Sequence, residues 1–347
     1  MVELDVVSTG EPTLPTLSDV ARKAGVSTAT VSRCLNTPET VKKKTRDTVM
    51  RAVDSLGYTP HFGARAMAAK RTFTIGAIIP TMENAIFARG VQAFQERLHE
   101  KGYTLLVSSS AYRPELEAEQ VKALVARGAD GLLLIGYERQ PEIYAFLRRR
   151  QTPFLLAWAF KSDSALPSIG FDNNVAMQTL TRQVLAKGHR QIAIISGTIE
   201  GNDRAAERVK GIHAGLLAVG IDPDSVPLIE TPYGIENGAN AFHALMQTTQ
   251  RPTAVMCVND VLAVGALQRA REMGLRVPDD LSITGFDDIE LAKVVTPQLT
   301  TVHVPHRQMG QLAADELVQM VESKVEGTSA ELTSQVRLRG SLAEPPK

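Results

Sequence analysis

Small polar and basic side chains follow Gly25 at positions that a helix would place on one exposed face. Short side chains let such a helix enter the major groove of DNA, where hydroxyl, amide and guanidinium groups hydrogen-bond to base edges. Arg33 offers a fork that fits guanine, and Thr28 can reach a base edge or a thymine methyl group. We therefore predict that these residues contact DNA: Ser27, Thr28, Ala29, Ser32, Arg33 and Asn36.

Two short helices must hold this surface in place. Thr16 with Asp19 forms a capping signal for the first helix, Gly25 ends that helix, and Ser27 caps the second. Apolar residues recur at helical spacing and predict a buried face: Leu17, Val20, Ala21, Ala24, Val31, Cys34 and Leu35. The pattern is that of a helix-turn-helix. A small helical module that only packs is the alternative.

A third helix is predicted by another apolar stripe, which ends before Gly57: Val49, Ala52, Val53 and Leu56. Its start, Lys42-Lys43-Lys44 with Arg46, is basic. Such a segment can lie against DNA phosphates, contacts that orient a protein without reading the sequence. A solvated charged face is the alternative for these residues.

The net charge of the 347-residue chain is zero, but the charge is unevenly distributed. Residues 16–71 carry eleven Lys or Arg and four Asp or Glu, whereas residues 1–15 and 72–347 are both acidic overall. This distribution indicates that only the first module meets phosphate. Two cysteines, Cys34 and Cys257, are too few for a disulfide framework. With no export signal and no membrane-length apolar run, we expect a cytoplasmic protein without a membrane partner.

From residue 73 onward, short β-rich runs alternate with amphipathic helices, which predicts parallel sheets covered on both faces. The predicted strands are 75–79, 104–108, 131–135, 154–157, 168–171, 191–195, 226–230, 254–258, 282–285 and 301–304. The predicted helices include 86–101, 115–127, 175–187, 205–219, 260–273 and 307–326. About ten strands suggest two sheets, and the two halves of the segment look alike. We therefore expect an α/β body of two similar lobes with a ligand cleft at the carboxyl ends of their strands.

Polar residues follow several of these strands and are candidates for the cleft. Asp287 follows the strand 282–285, Asn259 and Asp260 follow 254–258, and Arg208 lies in the helix after Ser196-Gly197. Asp287 and Asn259 suit sugar hydroxyls, and Arg208 suits a hydroxyl or a carboxylate. Helix caps and turns are the alternative, since Asn259 or Asp260 could simply cap the helix that follows.

The run TLSDVARKAGVSTATVSRCLN, then Thr45-Arg46, LGYTP and ARAMAAKRT leading into IGAIIP, resembles the lactose/galactose repressor (LacI/GalR) family from Thr16 to about Gly340. The resemblance implies a type I periplasmic-binding-protein-like fold with three crossings between lobes. The expected divisions are a disordered tail at 1–15, a headpiece at 16–59, a hinge at 60–72 and a body at 73–347. Lobe 1 then covers about 73–172 and 302–330, and lobe 2 about 173–301 and 331–342.

The same resemblance implies roles for individual residues. In the family, an apolar hinge residue enters the minor groove and kinks the operator. Met67 matches that position, although this chain has His61 and Lys42 where the family usually has Asn and Ser. The remaining expected DNA contacts are Thr16, Lys44, Tyr58 and Ala64. Positions matching the family's effector contacts are Phe87, Arg208, Tyr233, Asn259 and Asp287, with Phe87 or Trp158 as a stacking floor.

Arg204, in NDRAAERVKG, is similar to a subgroup that responds to sugar acids, gluconate-type repressors among them. A second basic group near Arg208 would favour an anionic ligand, so the sequence predicts a sugar or sugar-acid effector. The family also implies a homodimer on a pseudo-palindromic site in double-stranded DNA. The C-terminal SLAEPPK lacks the heptads of a tetramer-forming coiled coil.

The motifs of several enzyme classes are missing from the sequence, namely GxGxxG, the P-loop, HExxH and GxSxG. His303 and His306 have no acid or cysteine at metal-ligand spacing beside them, so we expect no metal and no cofactor. A transport solute-binding protein shares the predicted body but needs an export signal and no headpiece. The favoured prediction is a ligand-controlled DNA-binding regulator, most simply a repressor, rather than an enzyme.

Overall fold

A computed structural model describes residues 14–59, 71–83, 86–248 and 250–347, without the side chain of Asn36. The chain divides into two compact units, Met1–Thr72 and Phe73–Lys347, which we describe separately. The predictions for the N-terminal tail up to residue 13, and for His61, Ala64 and Met67 in the hinge, lie outside the described residues.

The described part of the first unit contains three α-helices, which form the headpiece. Its helices are α1 (Leu17–Ala24), α2 (Thr28–Asn36) and α3 (Lys43–Leu56), with a short 3-10 turn at Pro38–Thr40. Val20, Val31 and Val49 are completely buried where the three helices meet. Gly25 and Gly57 end α1 and α3 in the left-handed conformation, at φ 66° and 61°. Glycine adopts this conformation at no steric cost, so both helices stop where the sequence predicted.

The second unit has two lobes, each built on a parallel sheet. The sheet of the first lobe has the strand order β11-β5-β4-β3-β1-β2, and all its pairs are parallel. Its strands are β1 (Thr74–Ile79), β2 (Thr104–Ser109), β3 (Gly131–Ile135), β4 (Phe154–Ala157), β5 (Ser168–Gly170) and β11 (Ala330–Glu331). Its helices are α4 (Ala88–Glu100), α5 (Pro114–Ala126), α6 (Pro141–Arg149) and α12 (His306–Ser323).

The sheet of the second lobe has the order β7-β6-β8-β9 and is also parallel. Its strands are β6 (Ile192–Ser196), β7 (Leu228–Glu230), β8 (Ala254–Cys257) and β9 (Ser282–Thr284). Its helices are α7 (Asn173–Ala186), α8 (Asp203–Leu217), α9 (Ile235–Met246), α10 (Asp260–Glu272) and the short α11 (Leu291–Val294), with a 3-10 turn at Pro223–Ser225. The predicted α/β fold of two lobes with parallel sheets is confirmed.

Three segments connect the lobes. The chain leaves the first lobe after β5, returns to it before α12, and leaves it again after β11. Between the sheets, β10 (Thr301–His303) pairs antiparallel with β12 (Gln335–Arg337). The second and third connecting segments are therefore hydrogen-bonded to each other.

The predicted element ends differ from the observed ones by a few residues. The helix predicted from Ile86 begins at Ala88, the strand predicted from Val226 begins at Leu228, and the helix predicted to end at Glu326 ends at Ser323. The covering of the first-lobe sheet is incomplete at one edge. There β2 is the edge strand, and Leu106 and Val107 on it are each 36% exposed.

Candidate functional site

Helix α2 carries the predicted DNA-reading surface. Ser27 caps it, since its Oγ accepts a hydrogen bond from the Thr30 N–H at 3.2 Å. Thr28, Ala29 and Arg33 are exposed, and Ser32 is half-buried. The opposite face of the helix buries Val31 and Cys34 against the rest of the headpiece. The helix therefore presents short side chains at its N-terminal end and one guanidinium group a turn later.

Thr16 has a local structural role at the start of α1. Its backbone N–H and its hydroxyl both donate to the Asp19 carboxylate, at 3.0 and 2.7 Å, and its Oγ1 accepts from the Asp19 N–H at 3.3 Å. These hydrogen bonds, with the nearby Arg22, lower the pKa of Asp19. The result is a complete capping box that orients the first helix.

The basic residues at the start of α3 differ in their surroundings: one side chain contacts the headpiece, and the others are exposed to solvent. Lys42 occupies the cap position but makes no side-chain cap hydrogen bond, and Lys43 and Lys44 are exposed. Arg46 donates to the Pro38 carbonyl at 3.2 Å, so its side chain braces the turn between α2 and α3. Tyr58 is half-buried against the headpiece core. Arg46 and Tyr58 are thus engaged with the headpiece, whereas Lys42, Lys43 and Lys44 are exposed.

The cleft of the second unit is centred on Arg208 in α8. The residue is 4% exposed, and its polar contacts are long-range. Nε donates to Asn173 Oδ1 at 2.8 Å, Nη1 to the Val258 carbonyl at 2.8 Å, and Nη2 to Asp287 Oδ1 at 3.1 Å. The guanidinium also lies over the Phe286 ring, 3.8 Å from its centroid. One cation thus joins the start of α7, the end of β8 and the loop after β9.

A closed ring of contacts extends from this cation to the first lobe. Asn173 Nδ2 donates to the Trp158 carbonyl at 3.0 Å, and His306 Nε2 lies 3.1 Å from the Asp287 carbonyl. The imidazole of His306 and the indole of Trp158 complete the ring of contacts, with their centroids 6.3 Å apart. Three residues of the site were not predicted from the sequence, namely Asn173, His306 and Phe286. The rule that strand ends meet at the cleft could have found them, because each lies within three residues of a strand.

Burial sets the protonation states of the titratable side chains in the ring of contacts. It raises the pKa of Asp287 to about 6, against the lowering effect of Arg208, and it lowers the pKa of His306 to about 4. Behind the ring, burial raises the pKa of Asp260 well above its usual value. That carboxyl accepts hydrogen bonds from the Thr301 hydroxyl at 2.5 Å and the Ile289 N–H at 2.9 Å. Asp260 therefore holds the loop that carries Asp287.

Either Phe87 or Trp158 was predicted as a stacking floor, and the structure brings the two rings together. Their centroids are 5.4 Å apart at an interplanar angle of 67°, and the residues are 3% and 1% exposed. Trp158 follows β4 with a positive φ of 62°, a conformation that is uncommon for a large side chain. The two rings close the first-lobe side of the contact ring.

Arg204 lies one turn before Arg208 and links the two lobes. It pairs with Asp203 at 2.8 Å and donates to the Ile135 carbonyl at 3.1 Å, at the end of β3. The Tyr137 N–H in turn donates to Asp203 Oδ2 at 2.6 Å. The adjacent Gly136 has a φ of 74°, and a Cβ there would overlap the Arg204 and Asp203 side chains. Asp203 and Arg204 therefore form an interlobe clasp on residues 135–137.

Tyr233 and Asn259 lie on the second-lobe side. The Tyr233 hydroxyl accepts a hydrogen bond from Asn202 Nδ2 at 3.2 Å, and its ring lies 5.5 Å from that of Tyr112 in the first lobe. Asn259 caps α10, since its Oδ1 accepts from the Leu262 N–H at 2.9 Å. The capping role that the sequence left open for Asn259 is thus present, and its buried Nδ2 has no partner among the described residues.

Within the parts of the chain that the structure describes, no group of three or more His, Cys, Asp or Glu side chains is arranged to hold a metal ion. None of the described helices combines the length and apolar character that a bilayer crossing requires.

Comparisons with known proteins agree with both units. Residues 16–61 match the profile of bacterial regulatory proteins of the lacI family, and residues 181–342 match a periplasmic binding protein-like domain. A relative from Erwinia tasmaniensis, the HTH-type transcriptional repressor PurR, is 34% identical over 96% of this chain and 98% of its own.

Solved structures are also similar. The lac repressor dimer bound to operator and the anti-inducer ONPF superimposes with a TM-score of 0.85 at 28% identity, over 95% of this chain and 100% of that one. A complex of the transcriptional regulator CelR with cellobiose gives a TM-score of 0.70 at 27% identity, over 94% and 99% of the two chains. The chain therefore belongs to the lacI family of bacterial regulatory proteins.

Proposed function

We propose that this protein represses transcription as a homodimer on a pseudo-palindromic operator, and that a small sugar or sugar acid bound between the lobes controls its operator affinity. The observation that carries the proposal is the buried Arg208–Asp287 pair at 3.1 Å, where the carboxyl ends of β8 and β9 meet the connecting segment at His306. Ligands bind at strand ends of this kind in α/β folds.

The chemistry around this pair suits a polyhydroxylated ligand. Amide, carboxylate, guanidinium and imidazole groups converge beside the rings of Phe87 and Trp158. Fixed polar groups orient hydroxyls, and apolar ring faces cover the C–H surfaces of a sugar. The similar CelR structure contains cellobiose, which supports a sugar-type ligand for this chain.

Ligand control requires two arrangements of the lobes with different ligand affinities. The described arrangement is closed, with Asp203 and Arg204 hydrogen-bonded to the end of β3. A ligand that contacts Trp158 in one lobe and Arg208 in the other gains from this closure. It shifts the population of arrangements, and we propose that the shift changes operator affinity.

For DNA binding, we propose that α2 enters the major groove. The exposed Thr28, Ala29 and Arg33 support base contacts, and the exposed Lys44 supports a phosphate contact. Base contacts of this kind make the affinity for the specific site much higher than the affinity for random DNA. Phosphate contacts instead raise the affinity for every sequence alike.

The test starts with selection of a preferred site from a random DNA library with the full-length protein. Fluorescence anisotropy then gives Kd for that site and for random DNA, with and without sugars and sugar acids. We expect at least a hundredfold preference for the selected site and a change in its Kd with one ligand. In the same assay, Arg33→Ala removes the guanidinium group on α2 and should weaken binding to the selected site. Arg148→Ala, which removes an exposed arginine on α6, is its control. A protein without a preferred site under any ligand condition would contradict the proposal.

A further inference from the structure

The two arginines of the cleft do not leave a surplus of positive charge. Arg208 pairs with Asp287 at 3.1 Å and Arg204 with Asp203 at 2.8 Å, and all four side chains are at most 9% exposed. Each guanidinium therefore has its own buried carboxylate. A carboxylate brought in by a ligand would have to displace one of these partners or remain unpaired, and an unpaired buried charge is costly.

His306 presents a hydrogen-bond acceptor rather than a charge. Its Nε2 lies 3.1 Å from the Asp287 carbonyl, which can only accept, so Nε2 carries the proton. Nδ1 is then an acceptor, and burial keeps the ring neutral by lowering its pKa to about 4. The residue is 5% exposed, and Nδ1 has no hydrogen-bond partner among the described residues.

Two buried donors in or beside the contact ring also have no partner in the described part of the chain. They are Trp158 Nε1, whose ring lies beside the imidazole, and Asn259 Nδ2, next to the carbonyl that Arg208 binds. The Asn259 orientation is fixed because only its oxygen can accept from the Leu262 N–H. The contact ring and the neighbouring Asn259 thus hold one unsatisfied acceptor and two unsatisfied donors.

We infer that the site selects an uncharged, hydroxyl-bearing ligand over the corresponding acid, and that His306 is the residue that makes this selection. The inference rests on the proposed function of the cleft. A hydroxyl group both donates and accepts, so it can satisfy His306 Nδ1 and also Trp158 or Asn259. A carboxylate only accepts, so it leaves Nδ1 unsatisfied and places two lone pairs against each other.

This inference replaces the sugar-acid preference that Arg204 suggested. That prediction treated Arg204 as a free cation, but its guanidinium is paired with Asp203 and bonded to the Ile135 carbonyl. The positive charge of Arg204 therefore has a partner within the interlobe clasp and is not left for a ligand.

The first test compares matched ligands on the full-length protein at equal ionic strength. Glucose, galactose and cellobiose are each compared with the acid that differs by one oxidised carbon: glucuronate, galacturonate and cellobionate. We expect a neutral sugar to raise the Tm by roughly 5 °C at one hundred times its Kd, and its acid partner to give less than a quarter of that shift.

The second test uses two variants of His306 that separate its two nitrogens. His306→Asn retains an acceptor near the Nδ1 position, whereas His306→Gln retains a donor near Nε2 for the Asp287 carbonyl. By calorimetric titration with the neutral sugar that binds, we expect about tenfold weaker binding for His306→Gln and at most about threefold for His306→Asn. The ratio of neutral to acid affinity should fall only in His306→Gln.

The possible results distinguish a failure of this inference from a failure of the proposed function. An acid that stabilises the native protein at least as well as its neutral partner overturns the inference and leaves the proposed function intact. A ratio of neutral to acid affinity that His306→Gln leaves unchanged also overturns it. If no member of either series shifts the Tm, the inference and the sugar-type ligand of the proposed function both fail.

Discussion

The guanidinium of Arg208 and the carboxylate of Asp287 lie 3.1 Å apart, with side chains that are 5% and 0% exposed. The pair joins α8 to the loop after β9, and its remaining hydrogen bonds reach the start of α7 and the end of β8. A buried ion pair with so many partners orients the polar groups of the cleft before a ligand arrives, so less ordering is required on binding.

Removing the positive partner tests the importance of this pair. Arg208→Met leaves the Asp287 carboxylate buried without its counter-ion, so we expect the free energy of unfolding in urea to fall by about 3 kcal/mol at pH 7.5. Arg276→Met removes one partner of the exposed ion pair with Asp280 and is the control. The control should change stability far less, and equal effects of the two substitutions would show that burial of the pair has no energetic importance.

The opposite pKa shifts of His306 and Asp287 predict a specific pH dependence. The folded pKa of His306 is about 4, below its usual 6.5, so its contribution to stability is present above pH 6.5 and lost as pH falls towards 4. The raised pKa of Asp287, about 6, gives a contribution that is present below pH 3.8 and lost as pH rises through 6. The two slopes oppose each other between pH 4 and 6.

The substitution His306→Gln removes the pH dependence of stability that His306 contributes. The stability of the native protein relative to this variant should therefore increase by an amount on the order of 3 kcal/mol between pH 4 and 7. Urea unfolding at intervals of half a pH unit measures this difference. A difference that is constant over this range would show that His306 titrates normally in the folded protein.

The interlobe clasp can be tested at a glycine. Gly136→Ala places a methyl group against Arg204 and Asp203 and imposes a φ of 74°, whereas Gly274→Ala imposes nearly the same φ of 73° with no atom within 4 Å. Both substitutions cost about 1 kcal/mol or more in backbone strain. Only Gly136→Ala should also weaken ligand binding, by at least tenfold in a calorimetric titration, because it disfavours lobe closure. Equal ligand affinity in the two variants would count against a role for closure.

Base and phosphate contacts in the headpiece have different signatures. Lys44→Ala should weaken binding to every DNA sequence and reduce the slope of log Kd against log salt by about 0.9. Arg33→Ala should weaken binding to the selected site by about 1–3 kcal/mol while affecting random DNA much less. Anisotropy titrations at several salt concentrations distinguish the two effects. Loss of site preference in the Lys44 variant alone would reverse the assignment.

Local patterns were sufficient for the headpiece and for the order of the body's elements. The Thr16 and Ser27 caps and the stops at Gly25 and Gly57 are short-range signals, and each was predicted. Strand ends were less accurate because pairing determines them. Ser196 belongs to β6 through its register with Glu230, although it interrupts the apolar run. Two-residue or three-residue strands such as β11 and β12 are too short to show a periodicity.

The long-range contacts within the site could not be predicted from local patterns. Arg208 binds residues that are 35, 50 and 79 positions away. Arg204 and Asp203 are neighbours in the sequence, but nothing local indicates that they meet residues 135–137 of the other lobe. The sequence identified Arg208 and Asp287 as polar residues near strand ends. It did not indicate that they pair with each other, or that His306 has one unsatisfied nitrogen.

The central claim is that ligand binding between the lobes controls operator affinity, and one titration tests it most directly. Operator Kd is measured by anisotropy for the native protein and for His306→Gln, with increasing amounts of a sugar that stabilises the native protein. The account predicts at least a fivefold change in the native operator Kd, with about tenfold more sugar required in the variant. A sugar that saturates the thermal shift but leaves the native operator Kd unchanged would contradict the account.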